Sequence, residues 1–359
     1  MQTTIGSDQP PPLARALDES ALGRFVGAME ELGHRSDRAA MMGTFVGAVA
    51  GFPAQVPTAT IPALQRYLPP QRRATTKQFR NLLNCEGWDP AELRRELVAA
   101  GVEGGVEAIL VEGYDLTQNT QRPYDILSAH LLGPGYSVPV GWTRFALPEK
   151  PDGNGPDIAA GERGSAVGLL SQLREDFEIL GLPMPKVPVV ILDWRCGEDD
   201  LMRAQIAELD FELIVEVGDE YAGLDQTNDP LGPQTGRSML FEQMPFAEDG
   251  SPSASRLLRT VGGRQEYVTG GLRKGGVRAY AISSPLIDAP PGSLKGSRAR
   301  ERANELSALA SRISPSNAAI RLRVADLRSH DDRPWEAAAY LLSAFQATQM
   351  ACFPKGGSL

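Results

Sequence analysis

The chain has 359 residues, 42% of them apolar and 23% charged, an ordinary globular composition that excludes wholesale disorder. Lys and Arg number 36 against 45 Asp and Glu, a net charge of −9, so the chain as a whole is not a basic nucleic-acid binder. No run of 18 uncharged apolar residues occurs, which excludes an obvious membrane-spanning helix.

This length exceeds the size at which one core stops growing, so one elaborated domain or two compact units are expected. The first residues, MQTTIGSDQPPP, carry neither a basic nor an apolar stretch, so no secretory signal is expected. Cys85, Cys196 and Cys352 lie far apart and make no metal spacing, which fits a reducing cytoplasm. His34, His130 and His330 are too scattered for a zinc cluster.

Residues 1–14 read as a flexible tail and residues 15–104 as a helical N-terminal domain. Apolar positions recur at helical spacing in LARALDESALGRFVGAMEEL and DRAAMMGTFVGAVAGF. The Met41-Met42 pair within the second stretch reads as core packing. In Phe79–Ala99 the same pattern is broken at Trp88-Asp89-Pro90, where Asp89 suits an N-cap and Pro90 the first helical turn.

Residues 105–217 change character. Val106–Val111 is an apolar run that fits a buried strand and ends at Glu112. Tyr124–Leu127 and Val138–Trp142 suggest two further strands, with Gly133-Pro134-Gly135 turning the chain between them. After a Gly- and Pro-rich loop at 148–157, an amphipathic helix is predicted over 163–180. Val187–Leu192 is a strongly apolar strand ending on Asp193. A helix over 198–209 and a strand over Phe211–Val217 follow. The order is three strands, helix, strand, helix, strand: a mixed α/β sheet whose first and fourth strands each end on a carboxylate.

Residues 218–292 lose this regularity and read as a β-rich or irregular insertion, with strand-like pieces at Glu266–Val268 and Val277–Ile282. Gly262-Gly263, Gly270-Gly271 and Gly275-Gly276 are spaced like hairpin turns. Residues 293–359 hold a basic stretch, 293–328, and a final apolar helix, 334–351, expected to pack on the sheet.

Acids at the ends of neighbouring strands suit a divalent cation, because strand ends are rigid and the carboxylates converge on one edge. Mg²⁺ or Mn²⁺ held by Glu112 and Asp193 would keep waters free for phosphate oxygens. Two such ions clamp the attacking and leaving oxygens of a phosphoryl displacement, which asks for a third acid. The simpler reading is that both are ordinary strand-end polar residues. Glu216 and Asp219 could rebuild an acidic edge. Glu198-Asp199-Asp200 more simply complements a helix dipole. Cys196 reads as a small packed residue, and His330-Asp331-Asp332 as a helix-capping segment rather than a base with its orienting acid.

In this order of elements, in Asp193-Trp194-Arg195-Cys196-Gly197 after its strand, and in the Leu83–Val98 segment with Trp88-Asp89, the chain resembles bacterial insertion-sequence transposases with a ribonuclease-H-like DDE core. The resemblance runs over roughly residues 20–350. It implies a ribonuclease-H-like mixed sheet with an N-terminal helical domain and a β-rich insertion. It further implies DNA as substrate and Glu112 and Asp193 as the first two catalytic acids and metal ligands.

The departures are specific. The family's first Asp, usually followed by an acid and Thr, falls on Val111-Glu112-Gly113-Tyr114, with Asp115 as the nearest alternative. The family's last helix carries Tyr, Arg, Glu and Lys in the pattern Y-x2-R-x3-E-x6-K. Aligning Lys355 with that Lys places Thr348 at the Glu, Ala344 at the Arg and Leu341 at the Tyr. Aligning Tyr340 with the Tyr gives Ser343, Ala347 and Pro354. Neither register supplies the acid, and Glu336 lies about 18 Å along the helix from Thr348 at 1.5 Å per residue.

A sequence pI of about 5.1 also disfavours DNA binding. The cluster Arg66, Arg72, Arg73, Lys77 and Arg80 reads more simply as a solvated face. The expectation is a transposase-like protein with an incomplete triad that no longer transfers DNA strands. The alternatives are an active metal-dependent transposase or nuclease, and an enzyme repurposed for a small molecule at the old acidic site.

Overall fold

The computed structural model describes residues 19–50, 61–66, 68, 74–115, 124–134, 136–146, 158–191, 200–217, 257–261, 264–273, 276–283, 305–306, 309 and 333–349. It divides into two compact units, residues 1–100 with 318–359, and residues 101–317.

The first unit is helical: α1 (Glu19–Glu31), α2 (Ser36–Ala50), α3 (Ile61–Arg66), α4 (Thr76–Leu83) and most of α5 (Pro90–Glu103). Local chemistry sets the helix starts. Thr75 caps α4 by accepting from the Gln78 amide, while the Gln78 side chain accepts from the Thr75 amide, a reciprocal capping box. At α5 the Asp89 carboxylate accepts from the Ala91 amide and Pro90 opens the helix, as the sequence suggests. Phe25, Met29, Met42, Phe45, Phe79, Leu83 and Leu97 are buried in this unit. Phe45 meets Phe79 edge to face at 5.5 Å.

The final helix, α8 (Arg333–Gln349), belongs to this unit. It packs on α1, α2 and α4, and Phe345 meets Phe25 edge to face at 5.9 Å. The sequence expectation set it on the sheet; within this unit its described neighbours are helices. Its apolar surface runs all round: every residue from Ala337 to Thr348 is buried, so composition could not say which partner covers it.

The second unit is a mixed α/β layer. Its strands are β1 (Ala108–Asp115), β2 (Tyr124–Gly133), β3 (Tyr136–Ala146), β4 (Val189–Ile191), β5 (Leu213–Val217), β6 (Leu257–Val261), β7 (Arg264–Arg273) and β8 (Gly276–Ser283). They form one sheet in the order β3-β2-β1-β4-β5-β8-β7-β6. β1, β4 and β5 are parallel, and the other neighbours are antiparallel. The parallel strands share a buried apolar stretch. Val111, Val190, Ile191, Ile214 and Val215 are each at most 1% exposed.

The helix α6 (Ile158–Ile179) joins β3 to β4 and packs on β2 and β3. The helix α7 (Asp200–Glu208) joins β4 to β5 and packs on α6 and β5. Gly141 lets α6 approach: a methyl there would stand 2.7 Å from Leu169 Cδ1.

The described part of 218–292 is more regular than its composition suggests, since β6, β7 and β8 extend the sheet beyond β5. Gly270 and Gly271 lie inside β7, opposite Ala279 and Arg278, and not at a turn. No described helix is long and apolar enough to cross a membrane. Most of 293–328 lies outside the described residues.

Candidate functional site

Strand register decides which carboxylates share an edge. Ile191 on β4 pairs with Val111 on β1 and with Val215 on β5. Glu112 and Glu216 each follow by one residue, so they stand in the same cross-strand row and on the same face. Glu112 is 5% exposed and Glu216 is 6% exposed, an unusual depth for carboxylates. One strand separates them, so their backbones lie about 9.6 Å apart at 4.8 Å per strand.

Asp193, the other acid singled out in the sequence, lies outside the described residues, as do Cys196, Glu198, Asp199, Asp219 and His330-Asp331-Asp332. Asp115, the last residue of β1, lies three residues after Glu112. Among the described residues no three His, Cys, Asp or Glu gather as a cation site.

The last helix contributes no acid within its buried stretch. Ser343 and Thr348 turn their hydroxyls back onto the Ala339 and Phe345 carbonyls of their own helix. Glu336 sits in the first turn, where it complements the helix dipole, and its carboxylate is 4.0 Å from Arg94 Nη1 of α5.

Beside Glu112 the sheet holds a polar group that sequence reading missed. Ser128 lies directly opposite Glu112 in the antiparallel β1–β2 pair. Its hydroxyl is 2.8 Å from His130 Nε2, and His130 Nδ1 is 3.3 Å from the Ser137 hydroxyl. Ser128 and His130 are both fully buried. Burial lowers the His130 pKa to about 4, so the imidazole is neutral at physiological pH. The Trp142 ring, opposite Ser128 on β3, meets the imidazole edge to face at 6.1 Å. The legible signal was period-two placement, Glu112 on one strand and Ser128-x-His130 on the next; counting histidines for zinc passed over it.

A second concavity, of about 770 Å³, opens at the opposite end of the parallel strands. Phe177, Leu182, Met184, Val187 and Phe211 line it, with Lys186 at its side. It lies where β4 and β5 begin, whereas Glu112 and Glu216 stand one residue past the row of Ile191, the last residue of β4, so it is not part of the acidic edge.

Lys77 and Arg80 are exposed on α4. The side chains of Arg66, Arg72 and Arg73 lie outside the described residues.

No family profile matches the chain, and comparison with curated proteins returns no match.

Proposed function

We propose that the chain is a transposase-like protein on a ribonuclease-H-like core, with an incomplete DDE triad and without DNA strand-transfer activity. The observation that carries this reading is the strand order β3-β2-β1-β4-β5, with helices between β3 and β4 and between β4 and β5. A carboxylate on the central strand β1, Glu112, suits the first acid position of such a core. The buried stretch of α8 carries no acid; its polar side chains are Ser343, Gln346 and Thr348. Among the described residues this edge supplies one acidic pair, which can hold an ion, whereas a two-ion clamp on a phosphodiester needs a further carboxylate.

The test is a cleavage and strand-transfer assay on duplex DNA with Mg²⁺ and then Mn²⁺, comparing wild type with Asp193→Ala. The expected result is no cleavage by either. Metal-dependent cleavage that Asp193→Ala removes would replace this reading with an active nuclease.

A second reading, an enzyme that keeps a divalent ion for a small substrate, is favoured by one observation. Glu216 shares the row and face of Glu112, so the edge retains two buried carboxylates among the described residues.

A further inference from the structure

Two helices of the second unit end at one hollow. α6 closes with a Schellman turn: the Gly181 amide donates to the Glu178 carbonyl and the Leu182 amide to the Phe177 carbonyl, with Gly181 at φ +64°. α7 closes at Asp210, also at φ +64°, whose amide donates to the Ala207 carbonyl. The two turns lead toward the parallel strands β4 and β5, and residues of both line the concavity of about 770 Å³. That volume falls in the range of small-molecule pockets, about 300–1,000 Å³. Of the apolar lining, Phe177 and Phe211 are buried, whereas Leu182, Met184, Val187 and Leu209 are only half-buried and keep apolar surface uncovered.

The charge at this end has the wrong sign for its place. A helix C-terminus is the negative end of the dipole and favours Lys or Arg. Neither α6 nor α7 has a base in its last turn; each has an acid there, Glu178 in α6 and Glu208 in α7. Among the described residues that line the hollow, the acids Glu178, Asp210 and Glu212 outnumber the bases Arg174 and Lys186. Arg174 already faces Glu178 at 3.5 Å. A local rule broken at two helix ends, beside uncovered apolar surface, is the pattern of a site whose counter-charge comes from a ligand.

We propose that this hollow binds a small organic cation, an ammonium group on an apolar body. The body lies against Leu182, Met184 and Val187, and the ammonium lies at the helix ends beside Asp210. The site is separate from the acidic edge of Glu112 and Glu216 and stands whether or not the chain acts on DNA.

The test uses the full chain and three probes of one chain length: octylammonium, octanol and octanoate. Each is titrated into protein labelled with ¹³C at the methionine methyls, with the Met184 signal assigned by its loss in Met184→Leu. Octylammonium is expected to move that signal saturably, and octanoate to bind about tenfold more weakly or less. Asp210→Asn keeps a residue that tolerates the left-handed backbone, and is expected to weaken octylammonium about threefold while leaving octanol unchanged. Octanol or octanoate binding as tightly as octylammonium overturns the cation, and so does an affinity indifferent to Asp210→Asn. A Met184 signal that none of the three moves overturns the site. A signal that shifts with protein concentration alone gives the hollow to a second copy of the chain and overturns the proposal.

Discussion

Glu112 and Glu216 stand on the strands flanking β4, each one residue past the row of Ile191, and both are buried on the same face of the sheet. This relationship limits what the acidic edge can hold. Two carboxylates, Glu112 and Glu216 among the described residues, suit a single divalent ion. Calorimetric titration of Mn²⁺ at low salt is expected to give no more than one ion per chain. Glu112→Gln and Asp193→Ala are each expected to weaken binding by tenfold or more, about 1.4 kcal/mol. A stoichiometry of two would reveal a further acid and favour the alternative of an active metal-dependent nuclease.

His130 ties stability to pH. Its folded pKa, about 4, lies below the unfolded value of 6.5 because burial disfavours the imidazolium. Above pH 6.5 both states are neutral and the effect is silent. As the pH falls from 6.5 toward 4 the unfolded chain takes up a proton that the folded chain refuses, so stability declines. The loss approaches about 1.4 kcal/mol per pH unit, or about 2 kcal/mol between pH 7.5 and 5. Half-buried His34, lowered by burial and by Arg38, acts in the same direction, so the comparison must be against His130→Gln. Urea unfolding of both proteins at the two pH values measures the difference. Identical pH dependence would mean that His130 is reached by solvent.

The core strands were legible because their chemistry is local. Val106–Val111 and Val187–Leu192 are apolar on both faces, which only a strand covered by helices tolerates. Asp89-Pro90 announced α5 because a cap and a fixed φ act within one turn. What was not legible depended on partners distant in sequence. α8 is apolar all round, so nothing in its pattern distinguishes a sheet from a helical bundle as its cover. β6 was missed because LLRTV gains its strand character from pairing with β7. At the candidate site the sequence expectation ended the strand at Glu112 while β1 continues to Asp115, and Ser128 and His130 emerged only once register set Ser128 opposite Glu112.

The contact between Phe25 and Phe345 joins the first and last described helices of the helical unit, 320 positions apart in the chain (345 − 25). Both rings are at most 3% exposed. Phe345→Ala is expected to destabilise by about 3–5 kcal/mol, the cost of a lost aromatic and the cavity it leaves. A double-mutant cycle with Phe25→Ala is expected to return about 0.5–1.5 kcal/mol of coupling for the edge-to-face pair. Additive effects in thermal unfolding would mean that α8 does not seat on α1.

Tyr136 closes the β2–β3 end of the sheet through glycine. Its hydroxyl lies 2.7 Å from the Gly101 carbonyl and 2.9 Å from the Gly105 carbonyl. Its ring occupies the space where a methyl on Gly133 or Gly104 would stand, and Gly105 adopts φ +85°, which favours glycine. Gly133→Ala is therefore expected to cost about 1–3 kcal/mol by overpacking. Tyr136→Phe, which keeps the ring and removes the donor, is expected to cost about 1 kcal/mol. The two act differently on each other's background. Gly133→Ala should remain costly beside Tyr136→Phe, whose ring still fills the space, and become nearly neutral beside Tyr136→Ala, whose ring is gone. Chemical denaturation of the single and double variants checks this; equal costs of Gly133→Ala on both backgrounds would show that the ring does not lie against Gly133.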